Sequence, residues 1–264
     1  MRRPNHGHSE SVRPEWQFNS VLGSVEPDGA RLTHMTSGAE LWVREGRLVT
    51  GAGYRAAPAA SRRELARAGA ILRLRSHNRY HIHAAGVVDR KGRAWLLAGP
   101  TGSGKSTLAY ALARAGWPIL GDDGVIVEVR RNDIIAYAWR EPLRVSTDLQ
   151  VFFPELGTDS AAARQLAGDA RKRTEIVVAA ARSAPVAALV WVEQGAEDSF
   201  TPLAPTEALV ELVRQSAWVL IADGGSSAHL DALRHLAADV PSFRLVHSPA
   251  QLARIERTLS SALS

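Results

Sequence analysis

The stretch AGPTGSGKSTLAYALARAGWPILGDDGVIVE, residues 98–128, contains two motifs that are separated by about the length of one helix. Its first part, from Gly99 to Ser106, matches G-x-x-x-x-G-K-[ST], in which glycines let consecutive backbone N–H groups point inward at phosphate oxygens. A side chain at Gly104 would prevent the loop from wrapping around the phosphates. The motif lies between a predicted strand, 94–98, and a predicted helix, 106–115, which is the context that a phosphate-binding loop requires. The sequence therefore predicts that the phosphates of a nucleotide bind here.

Each position of this loop has an expected contact. Lys105 can reach the β- and γ-phosphates, and Ser106 can place its hydroxyl on Mg²⁺. The helix that begins there aims the positive end of its dipole at the same anion. The residues predicted to bind ATP with Mg²⁺ are Gly99, Thr101, Gly102, Ser103, Gly104, Lys105, Ser106 and Thr107.

Asp122 and Asp123 end the predicted strand WPILG, at the sheet edge where ligands of open α/β sheets collect. One carboxylate can hold Mg²⁺ while the other accepts a proton from an attacking hydroxyl. The alternative is a solvated turn with a helix cap. Only 17 positions separate Lys105 from Asp122, whereas the acidic strand of most P-loop ATPases comes much later in the chain. The spacing therefore predicts a P-loop protein of a different layout.

Composition narrows the function classes. The chain has 264 residues, of which 45% are hydrophobic, and it contains no cysteine, so disulfides and thiolate metal sites are excluded. No run of 18 apolar residues is present, so neither a membrane span nor a membrane partner is expected. The net charge of +5 is spread along the chain, so no nucleic-acid partner is expected. A reducing cytoplasm fits these features.

The motifs together resemble the HPr kinase/phosphorylase family and its HPr-kinase-like relatives, which include lasso-peptide tailoring kinases. The resemblance rests on a histidine-bearing strand at His83-Ala-Ala-Gly-Val-Val, a turn, a strand into the P-loop, and a helix followed by ARAGWPILGDDGVIV. It covers residues 80–130 strongly and 60–220 weakly. It implies an α/β fold whose core is related to ATP-dependent phosphoenolpyruvate carboxykinase. It also implies transfer of phosphate to a serine hydroxyl, and family members are often homo-oligomers.

The resemblance also assigns roles to residues. It implies that His83 is the active-site histidine, that Lys105 and Ser106 contact phosphate and metal, and that Asp122 and Asp123 are the metal-binding and catalytic carboxylates. Which aspartate is the base stays open. Thr107 follows Ser106 where the bifunctional enzymes have an acidic or small residue, and their late basic segment is not found. Phosphorylase activity and HPr as a substrate are therefore not carried over.

The domain prediction has three parts. Residues 1–15 are a disordered arm, 16–58 are a small β-rich region with a hairpin turning at Glu45-Gly46, and 59–264 are the P-loop kinase core. The core is predicted to open with a helix capped by Ser61. It continues with hairpins around Lys91-Gly92 and residues 131–133, and then with a mobile loop over 155–175. Helices are predicted over 205–221, 226–238 and 249–262.

The predicted function is an ATP-dependent kinase that phosphorylates a hydroxyl, with serine of a peptide or small protein as the expected acceptor. Two alternatives share the motifs: a small-molecule kinase, and a nucleotide-binding regulatory protein without phosphotransfer. Four basic residues are candidates for phosphate or substrate contacts, with plain solvated charges as the alternative: Arg140, Arg144, Lys172 and Arg173. His81 and His83, two apart on one strand, could form a metal pair, although a structural or charge-relay role is favoured.

Overall fold

The computed structural model describes residues 16–131, 133–157, 163–165, 173–221 and 224–262. The predicted arm, 1–15, lies outside these residues. The chain divides into two compact units. The N-terminal unit comprises the chain up to His77 together with Leu220–Ser226, and the core unit comprises Asn78–Val219 and Ser227–Ser264.

The N-terminal unit contains a five-stranded antiparallel meander in its described part. Its strands are β1 (Trp16–Phe18), β2 (Val21–Glu26), β3 (Gly29–His34), β4 (Glu40–Arg44) and β5 (Arg47–Thr50). Glu45 and Gly46 join the last two strands, and both have positive φ angles, 47° and 69°. Two successive positive φ angles match the right-handed twist of a hairpin, so the predicted turn is confirmed.

Helix α1 (Ala59–Arg75) belongs to the N-terminal unit. It packs closely on the meander, because a Cβ at Gly69 would come within 2.8 Å of the Leu41 side chain on β4. The division into compact units thus falls between His77 and Asn78, whereas the sequence predicted a boundary at 58–59. The predicted cap is wrong: the N-cap is Pro58, and Ser61 is buried within the helix.

The elements of the core unit follow in chain order. They are β6 (Tyr80–Ile82), β7 (Ala84–Val88), β8 (Ala94–Ala98), α2 (Lys105–Arg114), β9 (Ile119–Gly121), β10 (Val125–Val129), β11 (Ile134–Ala138), β12 (Leu143–Ser146), β13 (Ala163–Gln165), β14 (Arg173–Ile176), β15 (Ser183–Gln194), β16 (Ser199–Pro202), α3 (Pro205–Gln215), α4 (Ser226–Asp239), β17 (Ser242–His247) and α5 (Ile255–Ser261). Among the described residues, no helix is long and apolar enough to cross a membrane.

A mixed sheet organises the core unit, so the predicted α/β class is confirmed. Nine of the described strands form it, in the order β6-β10-β11-β15-β8-β7-β9, with β17 pairing β15 and β16. β8 and β17 both run parallel to β15, whereas β7 runs antiparallel to β8. The carboxyl ends of the three parallel strands therefore meet at one edge, which is where α/β sheets collect ligands.

Both faces of this sheet are buried, as the alternation along β8 shows. Leu96 belongs to a cluster with residues of α3 and α4, and its neighbour Leu97 belongs to a cluster with residues of α2 and α5. Successive side chains of a strand point to opposite faces. Helices therefore cover both faces, which explains why β8 is apolar throughout rather than alternating.

The hairpin of β7 and β8 turns where the sequence predicts, and Asp89 holds it. Asp89 Oδ1 accepts hydrogen bonds from the N–H groups of Lys91 and Arg93, both at 2.9 Å, and Oδ2 accepts one from Trp95 Nε1 at 3.2 Å. Burial disfavours the charge, but the hydrogen bonds from Arg93 and Trp95 outweigh it and hold the pKa of Asp89 below its usual value. The carboxylate therefore stabilises the strand pair that leads into the glycine loop.

Elsewhere the predicted elements and the elements of the structure begin or end at different residues. The helix predicted over 205–221 ends at Gln215, and the one predicted over 249–262 begins as a 3-10 turn, with α5 starting at Ile255. Within the predicted loop 155–175, residues 158–162 and 166–172 lie outside the described residues. β13 lies between them and pairs with β14, so part of the predicted loop is a small sheet.

Candidate active site

The glycine loop, 99–104, connects the end of β8 to the start of α2. Gly104 is the N-cap of α2 and has a φ of 99°, in the region that favours glycine. A Cβ at this position would come within 2.6 Å of His247 Nε2. The loop thus excludes a side chain at Gly104 through both its backbone conformation and its contact with β17.

Two side chains from neighbouring strands hold the loop from one side. Gln194 Nε2 donates to the Gly102 carbonyl at 3.1 Å, and His247 Nε2 lies 3.2 Å from the Ser103 carbonyl. A carbonyl only accepts, so Nε2 of His247 carries the proton. Because a trans peptide points its C=O and N–H in opposite directions, fixing the Ser103 carbonyl turns the N–H of Gly104 away from His247.

Neither of these two residues was predicted from the sequence. Gln194 and His247 are register partners at the ends of the parallel strands β15 and β17. They are far apart in the chain and belong to no motif, so only the strand pairing brings them to the loop. A useful signal would have been a polar residue at the end of each buried strand, since those ends face the ligand edge of the sheet.

Lys105 lies against the inside of the loop. Its Nζ donates to the carbonyls of Gly99 at 2.8 Å and Pro100 at 3.0 Å. The residue is only 7% exposed. Burial lowers the pKa of the Lys105 ammonium, and the nearby charges of Asp123 and Asp122 act in the opposite direction. The ammonium thus lies at the phosphate loop with acidic groups near it.

Asp122 is buried, with 6% of the residue exposed. Oδ2 accepts the backbone N–H of Arg144 at 3.0 Å, whereas the buried Oδ1 has no hydrogen-bond partner among the described residues. Burial raises the pKa of the Asp122 carboxyl, and the Ser106 hydroxyl and the Arg144 N–H oppose that shift. A buried carboxylate oxygen without a donor is costly unless something else fills its place.

Asp123 pairs with the histidine before β7. His83 Nδ1 lies 3.1 Å from the Asp123 carbonyl and 3.3 Å from Asp123 Oδ1. Both of these oxygens only accept, so Nδ1 carries the hydrogen. The His83 backbone N–H donates to the Gln215 carbonyl at 2.8 Å, which fixes the chain at this point. The histidine and the aspartate therefore form a polar pair that is still accessible to solvent.

These groups line one cleft of about 490 Å³. Its walls include ten of the residues named from the sequence: His83, Thr101, Gly102, Gly104, Lys105, Ser106, Thr107, Asp122, Asp123 and Arg144. Gly99 and Ser103 belong to the loop but do not line the cleft. The cleft also has walls that were not predicted, among them Glu141, Ser146, Asp148 and Phe152. These four lie around β12: Glu141 precedes the strand, Ser146 ends it, and Asp148 and Phe152 lie in or just after the 3-10 turn that follows.

The four basic candidates have different positions. Arg144 lines the cleft, but its guanidinium pairs with Glu175 at 3.1 Å. Arg140 is exposed and is not among the described residues that line the cleft. Arg173 lies in β14 opposite Ser146, and Lys172 lies outside the described residues. The structure thus brings the backbone of Arg144 to the site and does not bring Arg140.

The carboxylate and hydroxyl oxygens of the cleft are ligands that suit Mg²⁺. No group of three or more His, Asp or Glu residues that could hold a metal ion occurs in the described part of the chain. Mg²⁺, however, usually takes one or two carboxylates together with phosphate oxygens of a substrate. The free Oδ1 of Asp122 and the Ser106 hydroxyl offer such a set. His81, the other histidine of the predicted pair, is buried with its ring edge-on to Trp139.

Comparison with solved structures finds several dozen matching chains, and one of them illustrates the likeness. The solved structure of the Hpr(Ser) kinase/phosphatase from Coxiella burnetii matches with 14% identity and a TM-score of 0.37. The match covers 69% of this chain and 89% of that one. No family model and no curated protein match the chain. At this TM-score the likeness does not establish a shared fold.

Proposed function

We infer that this protein is an ATP-dependent kinase, similar in activity to the HPr kinases, that transfers the γ-phosphoryl group to serine of a peptide or small protein. The observation that supports this most is one cleft that holds a glycine loop, a buried Lys105 and two unlike carboxylates. Asp122 is buried, and its Oδ1 accepts no hydrogen bond from the described residues, whereas Asp123 is half-exposed beside His83. Phosphoryl transfer to an alcohol needs two such groups, one that binds the metal ion and one that accepts the proton of the hydroxyl.

The phosphates bind the loop. Backbone N–H groups and the N-terminus of α2 face the anion, and Lys105 exchanges its carbonyl contacts for contacts with phosphate oxygens. Ser106 and Asp122 would hold Mg²⁺, which when bound neutralises charge on the phosphates. The Arg144 N–H keeps Asp122 in place, so its free oxygen faces the metal side.

Asp123 acts on the acceptor. The serine hydroxyl gives its proton to the Asp123 carboxylate while the serine oxygen forms a bond to the γ-phosphorus. The bond from that phosphorus to the bridging oxygen breaks, and ADP leaves. His83 donates its Nδ1–H toward Asp123 and thereby orients the carboxylate. This assigns the metal to Asp122 and the proton to Asp123, the choice that the sequence left open.

The test uses γ-labelled ATP and Mg²⁺ with the purified full chain and candidate peptides encoded beside it. We expect one phosphate on a peptide serine, detected by intact mass and located by fragmentation. Lys105→Met, which removes the ammonium and keeps much of the side-chain volume, abolishes the adduct. Lys91→Met, at an exposed turn, does not. Nucleotide binding without an adduct on any peptide would overturn the peptide-kinase proposal.

A further inference from the structure

A second cavity, of about 350 Å³, adjoins the phosphate cleft. The two share Thr107, Leu149, Phe152 and Gln194, so they form one continuous space. The second cavity adds His247 and Leu252 to its walls. Its volume falls in the range of sites that bind small molecules.

The two ends of this space differ in chemistry. Four acidic groups line the phosphate cleft, and none of them lines the second cavity: Asp122, Asp123, Glu141 and Asp148. There the walls include three apolar side chains, Leu149, Phe152 and Leu252, with only a few polar groups. One end suits charge and proton transfer, and the other suits a flat, uncharged group.

The position of Thr107 indicates in which direction a bound nucleotide would run from the phosphate cleft. Thr107 lies two residues after Lys105, in the first turn of α2, and lines both cavities. A triphosphate whose γ end lies at Asp122 and Asp123 therefore leaves the loop past Thr107. The part of the nucleotide that follows the phosphates then enters the second cavity.

Phe152 supplies a surface for a planar group. It follows a 3-10 turn, Thr147–Val151, is 45% exposed and lines both cavities. Exposed aromatic faces are favourable stacking platforms for nucleobases, since every base has a π-face. Leu149 and Leu252 add aliphatic surface to the same cavity.

We propose that the second cavity is the nucleobase subsite, in which the base of the nucleoside triphosphate stacks on Phe152. This rests on the proposed function in one respect, that the phosphates occupy the glycine loop. The acceptor peptide is thereby placed at the opposite end, beside His83 and Asp123. Thr107 contacts the nucleotide between its phosphates and its base.

The experiment compares ATP with inorganic tripolyphosphate, both with Mg²⁺, by isothermal titration of the full chain. The two ligands share the phosphates and differ in the base and ribose. Phe152→Ala weakens ATP binding about tenfold, in the range expected for losing one base–aromatic stack. It changes tripolyphosphate binding less than about twofold, since the phosphate contacts remain. The matched control is Val151→Ala, which removes a neighbouring exposed apolar side chain that lines neither cavity and alters neither affinity.

The outcomes separate this inference from the function on which it rests. A wild-type chain that binds neither ligand overturns the proposed function and this subsite with it. If the wild type binds both ligands and Phe152→Ala weakens them equally, or weakens neither, the proposed function stands and the subsite is wrong. Selective loss of ATP affinity supports the subsite. Phe152 is half-exposed, so the alanine variant is expected to fold.

Discussion

Replacing Gly104 with alanine tests how the loop is held open for phosphate. Gly104 has a φ of 99°, and a non-glycine residue in a left-handed conformation loses about 1–2 kcal/mol. The new Cβ would also come within 2.6 Å of His247 Nε2, so the histidine must leave its hydrogen bond to Ser103. Losing that bond adds about 1 kcal/mol. Together these terms weaken phosphate binding roughly 30- to 150-fold.

The assay is titration with ATP and with tripolyphosphate, because a defect in the loop weakens both ligands equally. Gly102→Ala is the matched control: Gly102 also has a positive φ, 86°, but no atom of the described residues lies within 4 Å of its added Cβ. Gly102→Ala should therefore lose only roughly 5- to 30-fold. In the double variant with His247→Ala, the two losses should be less than additive. Equal affinities for Gly104→Ala and Gly102→Ala would refute the argument that His247 constrains the loop.

Two further predictions concern carboxylates. Asp122→Asn and Asp123→Asn should each reduce phosphotransfer by at least about 100-fold while most ATP affinity remains, with the exposed Asp133→Asn as control; wild-type turnover in both would contradict their roles. Asp89→Ala should lower the free energy of unfolding by about 3 kcal/mol, because Trp95 Nε1 and two backbone N–H groups lose their acceptor. The pKa of Asp89 is lowered in the folded chain, so its contribution is present above its usual value of 3.8 and is lost as the pH falls through the folded value. The free energies of unfolding of the wild type and of Asp89→Ala, measured by urea titration, should therefore approach each other at acidic pH. A difference between them that does not change with pH would show that Asp89 acts sterically.

Local patterns predicted the short-range elements well. The hairpin turn at Glu45-Gly46, the turn after Asp89 and the loop between β8 and α2 each depend on residues within a few positions of one another. Their physical causes, positive φ angles and short-range hydrogen bonds, are written in the adjacent residues. Such features need no tertiary information.

The predictions and the structure differ where contacts between distant segments of the chain determine the arrangement. The periodicity of α1 indicates a helix but not its partner, and packing against β4 assigns it to the N-terminal unit. Gln194 and His247 reach the glycine loop only through the register of β15 with β17. The position of Arg140 depends likewise on how the chain leaves β11. Sequence spacing gives the chemistry of the cleft, whereas strand pairing decides which other side chains join it.

The N-terminal unit is discontinuous in sequence, and this restricts how the protein can be dissected. Arg75, at the end of α1, is buried and donates to the Ile221 carbonyl at 3.1 Å and to Ser226 Oγ at 3.2 Å. A fragment that stops at His77 takes these two acceptors away from a buried guanidinium, which is destabilising. A chimaera that exchanges this unit with a relative's must therefore carry two segments, the first 77 residues and the short return at 220–226. Recombination at a single crossover would separate Arg75 from the segment it evolved to bind.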